Sequence, residues 1–445
     1  MRATIELIIR DDKGEIMGQT AEYELKLNSG TFSEIEQQVE QVKQKAMREV
    51  NRELLKQTQE RFSQTHPELT RNGHSRVQIK GLHGRFEFEV QWYKTAEGQG
   101  RSYFDLSGQF REGYQSEGLK EMVLYYSNRL SYGEVSGLVK RLSGERLLSD
   151  QKIEQLVVEQ AAQISRTREQ VVQARLEEGK MPTVKTAVAL YDRESQEILL
   201  FEDGIQVKEQ KEQREPKKTK DQTQAEAEEQ SRVSHHIVML EKKEGGFEYL
   251  TELPDSMVTL AEVVQSQLIA EYGTEPTPLN LVAITDGASN IRHRLLAIFG
   301  VRIPLILDWY HLEKKVGELL SMIAHNKTEK QAHLQQLLQW LWHGQVQQAL
   351  TYLKTEVVAR QPLKLSEVTT YLDKHRDEII DYDRRQQAGK TIGSGRVERG
   401  CDLVVGHRQK KKGMSWSETG SKALAILKTV ELNGCWSQLW SFAPA

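Results

Sequence analysis

Two acidic residues in the second half of the chain stand at the ends of apolar runs that predict buried strands. Asp203 follows the run at 198–201, and Asp286 follows the run at 279–284. Carboxylates at strand ends lie at the rim of a sheet, where α/β proteins usually place their sites. Asp-Gly is also a favoured turn dipeptide, so either acid alone fits a plain turn. Together they predict one acidic cluster at one rim.

A third carboxylate, Glu398, is predicted in the first turn of a late helix. The flexible sequence Gly-Ser-Gly at 393–395 leads into it. A carboxylate in the first turn is stabilised by the helix dipole. For the same reason Glu398 also fits a purely structural role at a helix start.

Three carboxylates of this kind suit metal-dependent displacement at phosphorus. Two cations about 3.5–4 Å apart can stabilise the attacking and leaving oxygens together. Mg²⁺ takes oxygen ligands and uses only a few carboxylates, with water and substrate phosphate completing its shell. We therefore expect Asp203, Asp286 and Glu398 to hold Mg²⁺ or Mn²⁺.

Asp308 and His311 form a separate constellation after the short apolar run at 305–307. Their spacing of three lets the side chains face each other if the strand passes straight into a helix. A His near an Asp is more often a structural pair than a metal site, and no His-x₃-His or Cys-x₂-Cys pattern predicts zinc. We expect both residues to support the site.

Basic residues cluster around and after Glu398. Such a run is usually a solvated surface, but beside a metal-binding acid it could grip a nucleic-acid backbone. Trp416 could stack on a base, although a tryptophan is more often part of a core. The residues expected to bind DNA are Arg396, Arg399, Arg408, Lys410, Lys411 and Lys412.

Length and composition set broad limits. The 445 residues predict two or three domains, and the net charge of −3 gives no global sign of nucleic-acid binding. Two cysteines, Cys401 and Cys435, are too few for a disulfide framework. We find no run long enough to span a membrane and no signal peptide, so we expect a soluble cytoplasmic protein.

The first 180 residues predict two regions. Residues 1–117 are α+β, with a hairpin within 5–27, a long helix at 32–62 and strands around 86–92. Residues 118–180 are helical, and Ser131 and Glu134 have the spacing of a capping box. Two short capped helices around a glycine-bearing turn make a candidate helix-turn-helix, although most such pairs simply pack.

Residues 181–445 predict an α/β domain. Polar residues fill 208–232, which predicts a solvated loop. Helices are predicted at 257–272, from 312 to 382 and around 397–407. Strands are predicted at 187–190, 198–201, 236–240, 247–250, 279–284 and 305–307.

From about residue 181 to 440 the sequence resembles bacterial insertion-sequence transposases of the Kra type, relatives of the Mutator-like transposases. Each matching stretch is weak alone, but all of them in this order form a specific signal. The stretches are Asp-Gly-Ile-Gln-Val-Lys at 203–208, Thr-Asp-Gly-Ala at 285–288, Leu-Asp-Trp-Tyr-His at 307–311, Ile-Gly-Ser-Gly-Arg-Val-Glu at 392–398, Gly-Met-Ser-Trp at 413–416 and Trp-Ser-Gln-Leu-Trp at 436–440.

The resemblance implies an α/β ribonuclease-H-like catalytic core with an all-helical insertion at about 312–390. It assigns the catalytic, metal-binding acids to Asp203, Asp286 and Glu398, and it matches Asp308 and His311 to an Asp-x-x-His element near the site. It implies metal-dependent cleavage and strand transfer of DNA. The implied partners are terminal inverted repeats, target DNA and further copies of the chain assembled on DNA.

Alternatives remain at two positions and for the function. Asp308 competes with Asp286 for the second acid, and Asp192 competes with Asp203 for the first. A transposase-derived DNA-binding protein without catalytic activity is the alternative function. A nuclease acting on RNA or on a junction would use the same carboxylates.

Overall fold

The computed structural model describes residues 2–11, 13–17, 21–110, 113–211 and 231–440. The chain divides into two compact units. The first contains residues up to Val157 together with the C-terminal residues from Ser437, and the second is Val158–Trp436. The division falls inside helix α5 (Asp150–Glu178).

The first unit is α+β, as the sequence predicts for its N-terminal part. Strands β1 and β2 pair antiparallel, and β3, β4 and β5 form a second antiparallel sheet. The core of this sheet is aromatic and aliphatic, and α1 packs against β2 and β4. The elements are β1 (Arg2–Leu7), β2 (Ala21–Lys26), α1 (Phe32–Thr65), β3 (Thr70–Gly81), β4 (Gly84–Lys94), β5 (Gly100–Ser102), α2 (Tyr103–Ser107), α3 (Glu117–Ser127) and α4 (Tyr132–Ser143).

Helix α4 begins at the predicted capping box. Ser131 Oγ accepts a hydrogen bond from the Glu134 amide at 3.2 Å, and the Glu134 carboxylate accepts one from the Ser131 amide at 2.7 Å. The helix ends at Gly144, whose φ of 81° is left-handed. Local sequence alone therefore fixes both ends of this helix.

The second unit has one five-stranded sheet and many helices, which confirms the predicted α/β class. Its elements after α5 are β6 (Ile198–Lys208), β7 (Arg232–Glu241), β8 (Phe247–Thr251), α6 (Leu260–Tyr272), β9 (Leu281–Thr285), α7 (Ser289–Phe299), β10 (Leu305–Leu307), α8 (Trp309–Ile323), α9 (Lys327–Trp342), α10 (Val346–Thr355), α11 (Pro362–Lys374), α12 (Tyr382–Gln387), α13 (Gly395–Cys401), a π-helical turn (Asp402–Gly406), α14 (His407–Gln409) and α15 (Glu418–Leu432). The predicted all-helical stretch corresponds to α8–α12.

The sheet of the second unit has the strand order β10-β9-β6-β7-β8. Strands β6, β7 and β8 form an antiparallel meander, and β9 and β10 continue parallel to β6 on its other side. Helices cover both faces. Arg294 of α7 pairs with Glu202 on one face, and Ser421 of α15 bonds to His235 on the other. This two-sided burial explains why these strands are continuous apolar runs.

Two strand predictions need correction. Residues 187–190 form bends and a turn rather than a strand, and they are exposed or half-buried. Their carbonyls instead accept side-chain hydrogen bonds, Ala189 from Lys390 and Leu190 from Arg385. Strand β6 does not end at Asp203 but continues to Lys208, which pairs with Arg232. Within the predicted polar loop, residues 212–230 lie outside the described residues.

No helix among the described residues combines the length and apolar character that crossing a membrane would need.

His235 should make the second unit sensitive to acid. It is buried, and burial is the main cause that lowers its pKa from 6.5 to about 4. Because the fold disfavours the charged imidazole, the stability that His235 contributes is complete above pH 6.5 and is lost as the pH falls through 4. We expect this group to lower the free energy of unfolding by about 2 kcal/mol between pH 7 and pH 5.

Urea unfolding at the two pH values measures this change. His235→Gln stays neutral and should lose about 2 kcal/mol less than the wild type between them. His293→Gln, at an exposed position of α7, is the matched control and should follow the wild type. The same pH dependence in His235→Gln and the wild type would contradict the prediction.

Candidate functional site

Asp203 lies in the middle of β6, opposite Ile237 of β7. Its Oδ1 accepts a hydrogen bond of 2.7 Å from the Gly204 amide. The pKa of Asp203 is raised, first by burial and then by the negative charges of Asp286 and Glu398. Asp286 and Glu398 therefore both lie within electrostatic reach of Asp203.

Asp286 directly follows β9, as predicted from the end of the apolar run. Its Oδ1 accepts a hydrogen bond of 2.8 Å from the Ala288 amide, which closes a tight turn. Gly287 has a φ of +84°, and a Cβ there would lie 2.7 Å from both His375 Cε1 and Leu307 Cδ1. Leu307 of β10 and His375, the residue after α11, therefore pack against the turn that carries Asp286.

Asp308 is fully buried at the start of α8. Its Oδ1 accepts hydrogen bonds from the amides of Tyr310 at 2.6 Å and His311 at 3.1 Å. Its Oδ2 accepts from the Ser394 amide at 2.5 Å and from the Ser394 hydroxyl. Burial alone would raise the pKa of Asp308, but the hydrogen bonds from His311 and Ser394 outweigh it and lower the pKa to about 2.

The hydrogen bonds to Ser394 hold the segment that leads to Glu398. The Trp309 amide donates to the Ile392 carbonyl at 3.2 Å, so two backbone positions anchor this segment beside α8. Helix α13 then lies close on β7, where a Cβ at Gly400 would come within 2.7 Å of Met239 Sδ. Glu398 itself is exposed, which leaves its carboxylate accessible.

His311 joins the two parts of the site. Its Nδ1 lies 3.4 Å from Asp308 Oδ2 and 3.5 Å from Glu398 Oε1. These are ion-pair contacts, because the buried Nδ1 makes no hydrogen bond of good geometry to any described residue. The contact with Asp308 is the main cause that raises the pKa of His311 against the effect of burial, and the charges of Glu398 and Asp203 raise it further.

The site contains the donors that a divalent cation needs. Asp308, His311 and Glu398 each offer a ligand atom, and these atoms lie within 4.8 Å of one another. Asp203, Asp286 and Glu398 offer carboxylate oxygens, the ligands that Mg²⁺ and Mn²⁺ prefer. Because their negative charges raise the pKa of Asp203, a cation between them would relieve the repulsion. Asp308, His311 and Glu398 therefore fit a divalent metal, and of the three predicted metal ligands only Glu398 belongs to this group.

The predicted DNA-binding residues occupy different environments. Arg396, Arg399, Lys410, Lys411 and Lys412 are exposed, and the guanidinium of Arg396 lies over the Phe247 ring. Arg408 is buried, and its guanidinium lies 4.7 Å from the centre of the Trp416 ring. Trp416 is buried too, so the structure assigns it to the core rather than to an open stacking surface.

A buried ion pair outside the predicted site holds the segment before Glu398. Arg385 of α12 is fully buried and donates to both Glu197 carboxylate oxygens, at 3.0 and 2.7 Å. Its Nε donates to the Thr391 carbonyl at 2.8 Å. Both residues belong to runs of polar sequence that predict surface, so no local signal distinguishes them.

His375 is a second supporting residue that the sequence did not single out. It lies against Gly287, and its Nδ1 is 2.6 Å from Glu378, which pairs with Arg292 of α7 at 2.6 Å. The helical region thereby supports the Asp286 turn. Asp192, the rival first acid, is exposed in a turn, where it accepts a hydrogen bond from the Glu194 amide.

These features describe an α/β protein with acidic side chains grouped within and beside a mixed sheet. The chain belongs to the uncharacterised protein family UPF0236, whose family model matches residues 25–439. None of the curated proteins compared with the chain matches it.

Gly287→Ala should be strongly destabilising. The new Cβ would overlap with His375 and Leu307, which costs about 1–3 kcal/mol. The left-handed backbone at this position costs a residue with a Cβ about a further 1–2 kcal/mol. We expect the free energy of unfolding in urea to fall by about 2–5 kcal/mol. Gly300→Ala is the matched control, because Gly300 has a φ of +65° but a Cβ there meets no atom within 4 Å. Equal losses in the two variants would show that His375 and Leu307 do not confine the turn.

Asp308→Asn should destabilise the second unit in a pH-dependent way. The folded pKa of about 2 lies below the ordinary Asp value, so the charge stabilises the fold above pH 4 and this contribution is lost as the pH falls through 2. We expect the variant to be less stable by about 2–3 kcal/mol at pH 7, and the difference to be about half as large at pH 3.

Urea unfolding in the presence of a chelator measures this difference without any contribution from metal. Asp377→Asn, at an exposed position, is the control for the loss of a carboxylate. A stability difference that does not change between pH 7 and pH 3 would contradict the assignment of a buried, ionised Asp308.

Proposed function

We propose that this protein is a DDE transposase that binds the ends of its mobile element and catalyses metal-dependent cleavage and strand transfer of DNA. The observation that carries the proposal is the placement of Asp203 and Asp286 directly after paired residues of neighbouring strands, because Glu202 pairs with Thr285 in the β6–β9 ladder. Glu398 is close enough that its charge, with that of Asp286, raises the pKa of Asp203. The motifs shared with insertion-sequence transposases support the same conclusion.

The sheet supports a ribonuclease-H-like catalytic core. An antiparallel meander of three strands, continued by two parallel strands on the other side of the first, is the sheet of such a core, and β6–β10 have this order. The five helices α8–α12 lie between β10 and the Glu398 segment, where the resemblance implies an all-helical insertion.

Each site residue has a definite task in the proposed reaction. Asp203, Asp286 and Glu398 would hold the metal. Asp308 fixes the Glu398 segment through Ser394, and His311 lies between the Asp308 and Glu398 carboxylates. When bound, Mg²⁺ or Mn²⁺ supplies positive charge that stabilises the attacking and leaving oxygens at phosphorus.

We also propose Asp286 rather than Asp308 as the second acid, although Asp308 belongs to the group of possible metal ligands with His311 and Glu398. All the hydrogen bonds of Asp308 are directed at α8 and at Ser394, and its side chain is only 1% exposed. Asp286 is half-buried at the end of β9 and acts electrostatically on Asp203. Asp308 is therefore a positioning residue in this proposal.

Recognition of the element ends is assigned to the helices of residues 118–180. The predicted pair around the glycine-bearing turn is α4, which Ser131 caps, and α5, where Ser149 Oγ accepts a hydrogen bond from the Lys152 amide at 3.2 Å. The prediction of two short helices is wrong for α5, which is 29 residues long. Two capped helices around Gly144 still support a helix-turn-helix. Two copies of the chain on DNA would bring two ends together, which is why we propose a homo-oligomer as the active assembly.

Glu398→Gln separates catalysis from binding. The change keeps the size of the side chain and removes the charge that helps to hold the cation, so DNA cleavage and joining should fall by about two to three orders of magnitude. Binding to element ends should change little, because Arg and Lys side chains supply the phosphate contacts. Cleavage with Mg²⁺ or Mn²⁺ and a gel-shift assay measure the two properties.

Glu313→Gln, at an exposed position of α8, is the control and should cleave like the wild type. Equal cleavage by Glu398→Gln and the wild type would remove Glu398 from the catalytic set. Tight end binding by the wild type without cleavage with either ion would favour a transposase-derived DNA-binding protein. Cleavage of RNA or junctions alone would favour a nuclease.

A further inference from the structure

A second feature of the catalytic sheet is a cationic groove at the far end of β6 and β7. Its volume is about 370 Å³. We call it the β6–β7 groove. The lining residues are Gln206, Val207, Lys208, Arg232, Gln409, Lys410, Lys411 and Met414. Four of these eight side chains are basic, and no acidic residue lines the groove among the residues that the structure describes.

The charge of this groove is local, since the whole chain has a net charge of −3. A larger cleft in the first unit, of about 890 Å³, shows the contrast. Its lining combines Arg52, Lys56, Arg71 and Arg76 with five glutamates, so its charges largely compensate one another. The acid next to the groove in the sequence is Glu209, which directly follows β6. Its carboxylate accepts a hydrogen bond from the Ser231 hydroxyl.

Lys208 and Arg232 are directly opposite each other in the β6–β7 ladder. Like charges at directly opposed positions of an antiparallel pair destabilise a sheet. Both side chains are exposed, and the neighbouring Lys410 adds a further positive charge. An arrangement that costs stability in the free protein is expected where a polyanion binds and relieves the repulsion.

The groove lies on the same strand as the first acid of the site. Five residues separate Asp203 from Lys208 along β6, which corresponds to roughly 17 Å at the rise of a strand. Because side chains alternate along a strand, this odd separation places Lys208 on the opposite face of the sheet from Asp203. Lys208 and Arg232 lie on the exposed face of this part of the ladder, so the groove is a surface separate from the carboxylates.

We propose that the β6–β7 groove binds the sugar-phosphate backbone of DNA, with Lys208 and Arg232 as its principal phosphate contacts. The proposal rests on the proposed function, because it takes DNA as the substrate. Specific sequence is not read there, since contacts to phosphates carry no base information. The groove instead adds sequence-independent affinity for DNA that decreases with salt.

The test is the salt dependence of DNA binding by the full-length chain. The double variant Lys208→Gln/Arg232→Gln removes two phosphate contacts. The slope of log K against log[salt] should therefore become shallower by about 1.8, and affinity for a DNA duplex at 0.1 M salt should fall by about 50-fold. Because the variant also removes the repulsion between the strands, its free energy of unfolding should be equal to or higher than that of the wild type.

The matched control is Lys185→Gln/Arg193→Gln. It removes one lysine and one arginine from exposed positions of the same unit, so the change in net charge is identical. Its slope and affinity should stay close to those of the wild type. Equal losses of affinity in the two double variants would show that the effect depends only on net charge. That result would contradict phosphate binding in the groove.

The outcomes separate the two proposals. A wild type that binds DNA with the expected slope but does not cleave it contradicts the transposase activity and leaves the groove supported. If Lys208→Gln/Arg232→Gln keeps the salt slope and the affinity of the wild type, and the wild type cleaves DNA, only the proposal for the groove is contradicted. A wild type that binds no DNA, or that prefers poly-glutamate to DNA, overturns both.

Discussion

The buried carboxylate of Asp308 is the interaction on which the geometry of the site depends. An ionised carboxylate is costly to bury unless hydrogen bonds replace its hydration. Here the replacement comes from two segments that are far apart in the chain, the start of α8 and Ser394. Satisfying this one charge therefore brings the segment before α13 onto the sheet. The carboxylate of Glu398, four residues after Ser394, thereby lies 3.5 Å from His311 Nδ1 and acts electrostatically on Asp203.

The helical region between β10 and α13 contributes to the site as well as to the size of the protein. Its buried Arg385 binds Glu197 and the Thr391 carbonyl, so one guanidinium fixes the segments on either side of it. Its His375 packs against Gly287, the residue after Asp286. The helical region thus supports two of the three predicted acids, Asp286 through His375 and the segment before Glu398 through Arg385.

Strand β6 carries like charges that repel one another at two places. Near its middle, the charges of Asp286 and Glu398 raise the pKa of Asp203. At its end, Lys208 lies opposite Arg232. Both arrangements cost stability in the free protein, and such local conflicts are expected at functional sites. A hard cation at the first place and a phosphate backbone at the second would relieve both, and the opposite signs match the two components of a metal-dependent reaction on DNA.

Much of the local structure follows from the sequence. The capping box of α4, the strand β10 at Leu305–Leu307 and the helical run α8–α12 were predicted because short-range patterns determine them. The acidic positions 203, 286 and 398 were also chosen from local patterns, and in the structure Asp286 and Glu398 both act electrostatically on Asp203.

Tertiary packing decided the rest. The apolar run at 187–190 is not a strand, because its carbonyls bond to Arg385 and Lys390 from almost two hundred residues away. Asp203 lies within a strand rather than at its end, because pairing with β7 extends β6 to Lys208. Arg408 is buried on Trp416, although it belongs to a basic run typical of an exposed surface. The hydrogen bond from the Ser394 amide to the Asp308 carboxylate joins residues 86 positions apart, and only the folded chain brings these two groups together.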